Sequence, residues 1–245
     1  MEPEFVTGEA AILFGSKLVV SDLHIGIEHD FYTSGIKLES QTNEMKKRLD
    51  NLIRSTKAKE LVFLGDLKHK VPGISYQEMK EIPEFMSHFT KKLKVIIVMG
   101  NHDPGIENMG TKAEIKPTEG FLSDKVYFTH GHTWPDKSFL KADYLIMGHV
   151  QPQIEFKDKL GSRWQETVWV KAELNKKKVE EKYGKTKKLP HIIIIPSFNT
   201  LTGGHKINRK ETTKEHKTPI MNMLKLNDAD IHLLDGTFLG KLKEL

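Results

Sequence analysis

The chain lacks cysteine and long apolar runs. Without cysteine, disulfide scaffolds, thiolate zinc sites and cysteine nucleophiles are excluded, so any bound metal must have oxygen and imidazole ligands. No apolar run approaches the ~18 residues of a membrane-spanning helix; the strongest are Val95–Met99 and Ile192–Ile195. The acidic first residues, 1–5, also lack the basic start of a secretory signal. We therefore expect a cytoplasmic protein with no membrane partner.

Arginine is scarce, and the basic charge is concentrated. Only four of the 38 basic residues are arginine, and the formal net charge is +5. Residues 171–190 contain eight lysines and three glutamates, a local net charge of +5. Such a segment suits phosphate backbones rather than base reading, although a solvated loop has the same composition. We expect a single domain over residues 1–245 with a lysine-rich insertion at about 171–190, in which Lys176, Lys177 and Lys178 are candidates for substrate binding.

Polar side chains follow five short apolar runs. Unalternated runs of this length are typical of strands buried on both faces. In open α/β sheets, ligands bind at the carboxyl ends of the strands, so these runs predict one polar edge. The runs are Leu18–Val20, Leu61–Leu64, Val95–Met99, Val126–Phe128 and Tyr144–Met147.

The two halves of the chain have different patterns. Helical spacing of apolar residues predicts helices over Glu39–Thr56 and Tyr76–Phe89, with a kink or restart at Pro83. The predicted order of elements in the first half is therefore β-α-β-α-β. The second half is dominated by short predicted strands, at 125–129, 143–147, 153–157, 167–172, 191–195 and 230–235.

The polar residues after the strands form a set suited to metal chemistry. In chain order they are Asp22-x-His24, Gly65-Asp66, Gly100-Asn101-His102-Asp103, His130-Gly131 and Gly148-His149. Any one of these is a weak signal, but a solvated surface has no reason to sort histidines to strand ends. Two cations ~3.5–4 Å apart can clamp a phosphoryl group and ionise a water, and a carboxylate can bridge them. Mixed carboxylate and imidazole ligands favour Mn, Fe or Zn over Mg or Ca.

The order of these motifs resembles the calcineurin-like metallophosphoesterase superfamily, whose pattern is D-x-H, G-D, G-N-H-D/E, H and G-H-x-H. A narrower resemblance is to its ligase-associated, or ICC-like, branch, through Ser21–Gly26, Gly65–His69 and Pro196–Asn199 followed by Gly203-Gly204. The resemblance implies a four-layer α/β/β/α sandwich of two mixed β-sheets, and the strand pattern agrees with it. It also implies two divalent metal ions, with Mn as the first candidate and Fe, Ni or Zn as alternatives.

Residue by residue, the resemblance implies that Asp66 bridges the two ions. Metal one would have Asp22 and His24 as further ligands, and metal two would have Asn101, His130 and His149. His102, oriented by Asp103, would face the leaving group.

Four further positions carry alternatives. Gln151 stands where the family has the second histidine of G-H-x-H, and either binds metal one through its amide oxygen or leaves that position to water. His69 and His132 are candidates for the surroundings of the metals or for substrate binding, and loop histidines are the alternative. Trp134 could stack a base or pack under its loop.

The function we expect is a binuclear metal-dependent phosphodiesterase or nuclease, with single-stranded DNA or RNA as a candidate substrate. A small-molecule phosphomonoesterase or a cyclic-nucleotide phosphodiesterase is the alternative within the enzyme class. A metal-poor binding scaffold of the same fold is the alternative outside it. The oligomeric state does not follow from the sequence.

Overall fold

The structure is a computed structural model that describes residues 2–209 and 218–245. Its first sheet has the strand order β1-β2-β3-β4-β5-β6. Strands β3 to β6 are parallel, and β1 and β2 form an antiparallel extension. The bounds are β1 Glu4–Phe5, β2 Ile12–Phe14, β3 Lys17–Val20, β4 Glu60–Leu64, β5 Lys94–Val98 and β6 Glu114–Lys116.

The second sheet comes from the later part of the chain and has the order β13-β10-β11-β12-β9-β8-β7, with β14 on β11 and β15 on β14. Strands β8, β9 and β12 are parallel to one another, and β11 is antiparallel to β12. The bounds are β7 Phe121–Ser123, β8 Val126–Thr129, β9 Tyr144–Met147, β10 Pro152–Lys157, β11 Arg163–Ala172, β12 His191–Ile194, β13 His205–Lys206, β14 Asp230–Leu233 and β15 Phe238–Lys241.

Helices connect many of the strands. They are α1 Glu28–Thr33, α2 Thr42–Thr56, α3 Tyr76–Thr90, α4 Lys176–Tyr183 and α5 Pro219–Met223, with 3-10 turns at Ile106–Met109, Lys137–Lys141, Leu226–Asp228 and Leu242–Glu244. Helix α3 runs through Pro83 without a break, so the expected restart does not occur. No helix in residues 2–209 and 218–245 is long and apolar enough to cross a membrane.

Three layers of core hold the sheets and helices together. The middle layer lies between the sheets and combines residues such as Val62 and Ile96 with Phe128 and Trp169. One outer layer joins the first sheet to α2 and α3, and the other joins the second sheet to α4 and α5. The α/β/β/α sandwich of two mixed sheets is therefore confirmed.

Strand register brings the polar motifs to one edge. Parallel pairing aligns Val20 with Phe63 and Leu64 with Val98, so the residues after β3, β4 and β5 emerge together. Pairing of Thr129 with Met147 does the same for β8 and β9 in the second sheet. The predicted polar edge is formed by the two sheets jointly.

Candidate metal centre

The backbone at this edge is held in a conformation that side chains rarely adopt. Positive φ angles outside glycine are uncommon, and they cluster where surrounding structure imposes them for function. Five of the residues expected to bind metal have such angles, namely Asp22 (57°), His24 (44°), Asp66 (52°), His149 (68°) and Gln151 (47°). This local geometry turns each side chain inward just after its strand ends.

Asp66 lies between two groups of potential ligands. Its Oδ2 is 3.6 Å from Nε2 of His24 on one side and 3.2 Å from Nε2 of His130 on the other. Asp22, His24 and Asp66 form one cluster, and Asp66, His130 and His149 form a second. Two metal positions that share Asp66 fit this arrangement.

The first group comprises Asp22, His24 and Gln151. The amide of Gln151 lies between the other two, with Nε2 donating to Oδ1 of Asp22 at 3.1 Å and 3.0 Å from Nε2 of His24. Rotation of this amide by 180° would place Oε1 there instead, since the two ends have nearly the same shape. Gln151 therefore lies where a neutral oxygen ligand of metal one would be.

The second group surrounds Nε2 of His130. Oδ1 of Asn101 is 3.2 Å from this nitrogen, and Nδ1 of His149 is 3.1 Å from it. The other ring nitrogen of His130 donates to the Leu64 carbonyl at 2.6 Å, which leaves Nε2 facing the group. Ligand atoms around a metal with bonds of about 2.1 Å are separated by such distances.

Burial and mutual charge set the protonation states. Burial lowers the pKa of His24 to about 3 and that of His149 to about 3, so both imidazoles are in the neutral form that binds metals. Burial also acts on His130, but the Asp66 carboxylate prevails and raises its pKa to about 9. Conversely, burial opposes ionisation of Asp66, and His130 lowers its pKa below the usual range. Burial raises the pKa of Asp22.

Glycines allow the closest approaches. A Cβ on Gly100 would lie 2.2 Å from Oδ1 of Asp66, and one on Gly65 would lie 2.5 Å from the ring of His130. Both distances are well inside van der Waals contact. These glycines are therefore required for the packing of the two ligands and not only for turning the chain.

Asp103 has a different position from the one expected. Its buried carboxylate accepts hydrogen bonds from the backbone N–H groups of Asp66 (2.8 Å), Leu67 (2.8 Å), Lys68 (3.3 Å) and Gly100 (2.8 Å). These bonds tie the loop after β4 to the loop after β5. The carboxylate thus organises the backbone at the bridging residue, and the ring of His102 is oriented by another group.

That group is the backbone carbonyl of His69, which accepts a hydrogen bond from Nδ1 of His102. His69 is itself fixed by Glu78, which caps helix α3 together with Ser75 and accepts from the N–H of His69 at 2.8 Å. The His102 ring therefore keeps Nε2 as the nitrogen available to a substrate.

Side chains outside the two groups hold Asp22 and its loop in place, and sequence reasoning does not predict these contacts individually. Ser197 Oγ donates to the Asp22 carbonyl at 2.8 Å, and Asn199 Nδ2 donates to the Leu23 carbonyl at 2.7 Å. Ser21 Oγ donates to Oδ2 of Asp22 at 2.5 Å. The Pro196–Asn199 segment, which resembles the ICC-like branch, is the signal in the sequence that could have indicated these contacts.

His132 is close to the second group. Its ring centroid is 5.2 Å from that of His130 and 5.9 Å from that of His149. Nδ1 of His132 is buried without a hydrogen-bond partner in the structure. Trp134, two residues later, is 41% exposed, and its ring packs edge-to-face on Tyr183 with a centroid distance of 6.4 Å.

The structure does not bring Lys176, Lys177 and Lys178 to this edge. Strand β11 is antiparallel to β12, so the chain leaves β11 at the end of the sheet opposite to His149 and starts helix α4 there. The other end of α4 contacts the loop that follows His132, because Nζ of Lys182 is 4.5 Å from the ring centroid of Trp134 and Tyr183 Oη donates to the Pro135 carbonyl at 2.8 Å.

Comparison with known proteins identifies the family of this chain. Residues 17–194 match the family model described as calcineurin-like phosphoesterase, and the chain belongs to that family. It is therefore a phosphoric ester hydrolase of a family that uses divalent metals, and its clustered aspartates and histidines could hold them.

Solved structures of the same fold include the nuclease MPE of Pseudomonas putida, at 19% identity and a TM-score of 0.58 over 97% of this chain and 99% of that one. YfcE, a phosphoesterase from E. coli, matches at 17% identity and a TM-score of 0.42, over 92% and 97% of the two chains. The search of curated protein sequences gives no match.

Proposed function

We propose that the protein is a binuclear, Mn-dependent phosphodiesterase that acts on nucleic acid, with Fe, Ni or Zn as alternative metals. The observation that carries this proposal is the position of Asp66, whose Oδ2 lies 3.6 Å from Nε2 of His24 and 3.2 Å from Nε2 of His130. A carboxylate placed between two imidazole-containing groups is suited to bridging two ions.

The residues fit a pair of transition-metal ions. Asp22, His24, Asp66 and Gln151 would hold metal one, and Asp66, Asn101, His130 and His149 would hold metal two. When bound, such ions polarise the phosphoryl oxygens and supply an ionised water. The donor set is mixed oxygen and imidazole, which suits Mn, Fe, Ni or Zn better than Mg or Ca.

His102 would act on the leaving group. Because its Nδ1 donates to the His69 carbonyl, Nε2 is the nitrogen that can approach the ester oxygen. In the imidazolium form, in which Nδ1–H still donates to the His69 carbonyl, Nε2 would hold a second proton and would donate it to that oxygen as the bond to phosphorus breaks, leaving the ring neutral. His132 would contact the substrate on the side of metal two, where its ring lies 5.9 Å from that of His149.

The side chains at the site favour a diester over a monoester. Among the described residues that form the two groups, the side chains are carboxylates, imidazoles and amides. The nearest lysine in sequence, Lys68, is buried and donates to backbone carbonyls of the next loop. A dianionic monoester is best held by an arginine or lysine beside the metals, whereas a monoanionic diester needs less.

Two further features support a polynucleotide substrate. The Pseudomonas putida protein of this fold is a nuclease. In the present chain, the exposed Trp134 beside Lys182 provides a stacking surface with a cation next to the loop of His132.

Metal content and activity test the proposal together. The purified protein should bind two ions per chain and hydrolyse a nitrophenyl diester and single-stranded DNA with Mn²⁺ in preference to nitrophenyl phosphate and cyclic nucleotides. Asp66→Asn should remove activity with Mn, Ni, Zn and Mg alike, because both ions lose their shared anionic ligand. Asp50→Asn, which alters a surface aspartate paired with His88, is the control. Near-normal turnover of Asp66→Asn would contradict a binuclear site.

A further inference from the structure

An aspartate that no sequence motif indicates is linked to the first metal group through two histidines. Oδ2 of Asp30, on helix α1, is 2.9 Å from Nε2 of His69. Nδ1 of His69 is 3.2 Å from Nδ1 of His24. His24 in turn directs Nε2 toward Oδ2 of Asp66 at 3.6 Å. The four side chains thus form one continuous line from the surface to the site.

The hydrogen-bonding capacities along this line are consistent with only one arrangement of neutral rings. If Nε2 of His24 binds a metal, its proton must be on Nδ1, which then donates to Nδ1 of His69. Since that nitrogen of His69 accepts, the His69 proton must be on Nε2, which donates to the carboxylate of Asp30. An ionised Asp30 carboxylate can accept hydrogen bonds but cannot donate them. It therefore requires the proton of His69 on Nε2, and His69 in turn requires the proton of His24 on Nδ1.

We propose that Asp30 and His69 are positioning residues for metal one, which hold His24 in its metal-binding tautomer and orientation. This inference rests on the proposed function, because it assumes that His24 is a metal ligand. His69 would then be part of the metal environment, since both of its ring nitrogens already have partners.

Metal one has particular need of such support. Its third side chain is Gln151, whose amide is a weaker ligand than the imidazole or carboxylate groups of metal two. His24 is then the single imidazole of that group, so no other imidazole ligand can compensate if its ring is turned away from the metal. By contrast, metal two has two imidazoles, and His130 is fixed independently by the Leu64 carbonyl.

The backbone of His69 is held separately from its ring, which makes the ring contact testable. Oε1 of Glu78 accepts from the N–H of His69 at 2.8 Å and from that of Lys70 at 2.6 Å. Substitution of the His69 side chain should therefore leave the loop, and its carbonyl contact to His102, in place.

The experiment is calorimetric titration of the metal-free protein with Mn²⁺ alone, repeated for three variants. His69→Leu removes the acceptor, whereas His69→Asn places an amide oxygen near the former position of Nδ1. We expect His69→Leu to weaken metal one by about 10–100-fold with little change at metal two, and His69→Asn to restore most of the affinity. Asp30→Asn should cause a smaller loss at metal one, because its amide oxygen can still accept.

Controls assign each titration step and exclude a general effect on folding. Asp22→Asn identifies the step that belongs to metal one, and His149→Ala the step that belongs to metal two. His88→Leu breaks a comparable histidine–aspartate pair away from the site, with Nε2 of His88 2.8 Å from Asp50, and should leave both steps unchanged.

The outcomes separate the two hypotheses. Two bound ions with unchanged affinity in His69→Leu would overturn the positioning role, as would equal losses in the Leu and Asn variants. Fewer than two ions bound by the unmodified protein would overturn the binuclear function itself, and this inference with it.

Discussion

Substitution of Asp103 by Asn tests whether this buried carboxylate acts on the backbone or on His102. Its two oxygens accept from two pairs of N–H groups, Asp66 with Gly100 and Leu67 with Lys68. An amide offers one acceptor oxygen, so whichever way it turns, its NH2 group faces one pair of donors.

Two buried N–H groups then lose their acceptor. At about 1–3 kcal/mol for each unsatisfied group, the expected loss is about 4 kcal/mol of unfolding free energy. This is a large part of the roughly 5–15 kcal/mol that is typical of a domain. Because the donors include the N–H of Asp66, the bridging ligand should also move, and affinity for both ions should fall.

The assay is urea unfolding of the metal-free protein, followed by circular dichroism, with Mn²⁺ titration in parallel. His102→Ala is the matched comparison, because it removes the ring and keeps the carboxylate with its four backbone bonds. The reasoning would be refuted if Asp103→Asn unfolded at the same urea concentration as the wild type, bound Mn²⁺ normally, and lost turnover to the same extent as His102→Ala. Asp103 would in that case act through His102.

Three other predictions concern the reaction and its substrate. His102→Ala should slow turnover by ~10²–10⁴-fold at nearly normal metal content, with a smaller loss for a nitrophenol leaving group in steady-state assays; equal losses for good and poor leaving groups would argue against proton donation. Gln151→His should tighten metal one and lower the Mn²⁺ concentration needed for activity, and an unchanged metal dependence would place Gln151 outside the ligand set. Trp134→Ala combined with Lys182→Gln should weaken single-stranded DNA cleavage and leave the turnover of a nitrophenyl diester unchanged. The slope of log affinity for DNA against log salt concentration should become less steep, by about 0.7 for each phosphate that is no longer neutralised. The matched control changes Lys176–Lys178 to Gln, and an equal effect of that control would contradict the placement of helix α4.

Much of the fold can be predicted because the pattern depends on local properties. Runs such as Val95–Met99 are apolar throughout because the strand is buried on both faces, and the following glycine marks the strand end. Helix α2 is equally clear in the sequence, since Met45, Leu49 and Leu52 recur at helical spacing and are all buried. The short edge strands β1, β6 and β13 have only two or three residues, too few to show a period.

Helix α3 and the lysine-rich segment show where local reasoning fails. Pro83 is followed by a continuous helix because Ile82, Phe85 and Phe89 bury the same face, and this packing outweighs one missing hydrogen bond. The charge of residues 171–190 correctly suggests a surface segment. Its position depends on the antiparallel direction of β11, which composition does not encode.

The candidate site is predictable as a set of residue types and not as a set of contacts. Asp22, Asp66 and His130 lie after their strands as expected; register gathers Asp22 and Asp66 within the first sheet, and packing of the second sheet brings His130 to them. Sequence reasoning pairs the His102 ring with its neighbour Asp103, whereas the structure supplies the carbonyl of His69, 33 residues earlier. Hydrogen bonds between distant loops produce no periodic pattern of residue types in the sequence, so they cannot be predicted from it.

The long-range contacts also explain why the metal-binding edge requires nearly the whole chain. The motifs end at Gln151, yet the loop of Asp22 is held by Ser197 and Asn199, which are 175 and 176 residues from their partners. These two residues follow β12, which pairs with β9 in the second sheet, while Asp22 follows β3 in the first. The loop of Asp22 is therefore held from both sheets, since its N–H also donates to the Gly65 carbonyl in the first sheet at 3.1 Å. Because each sheet supplies ligands and also contacts the ligands of the other, the site requires the two sheets to be packed together.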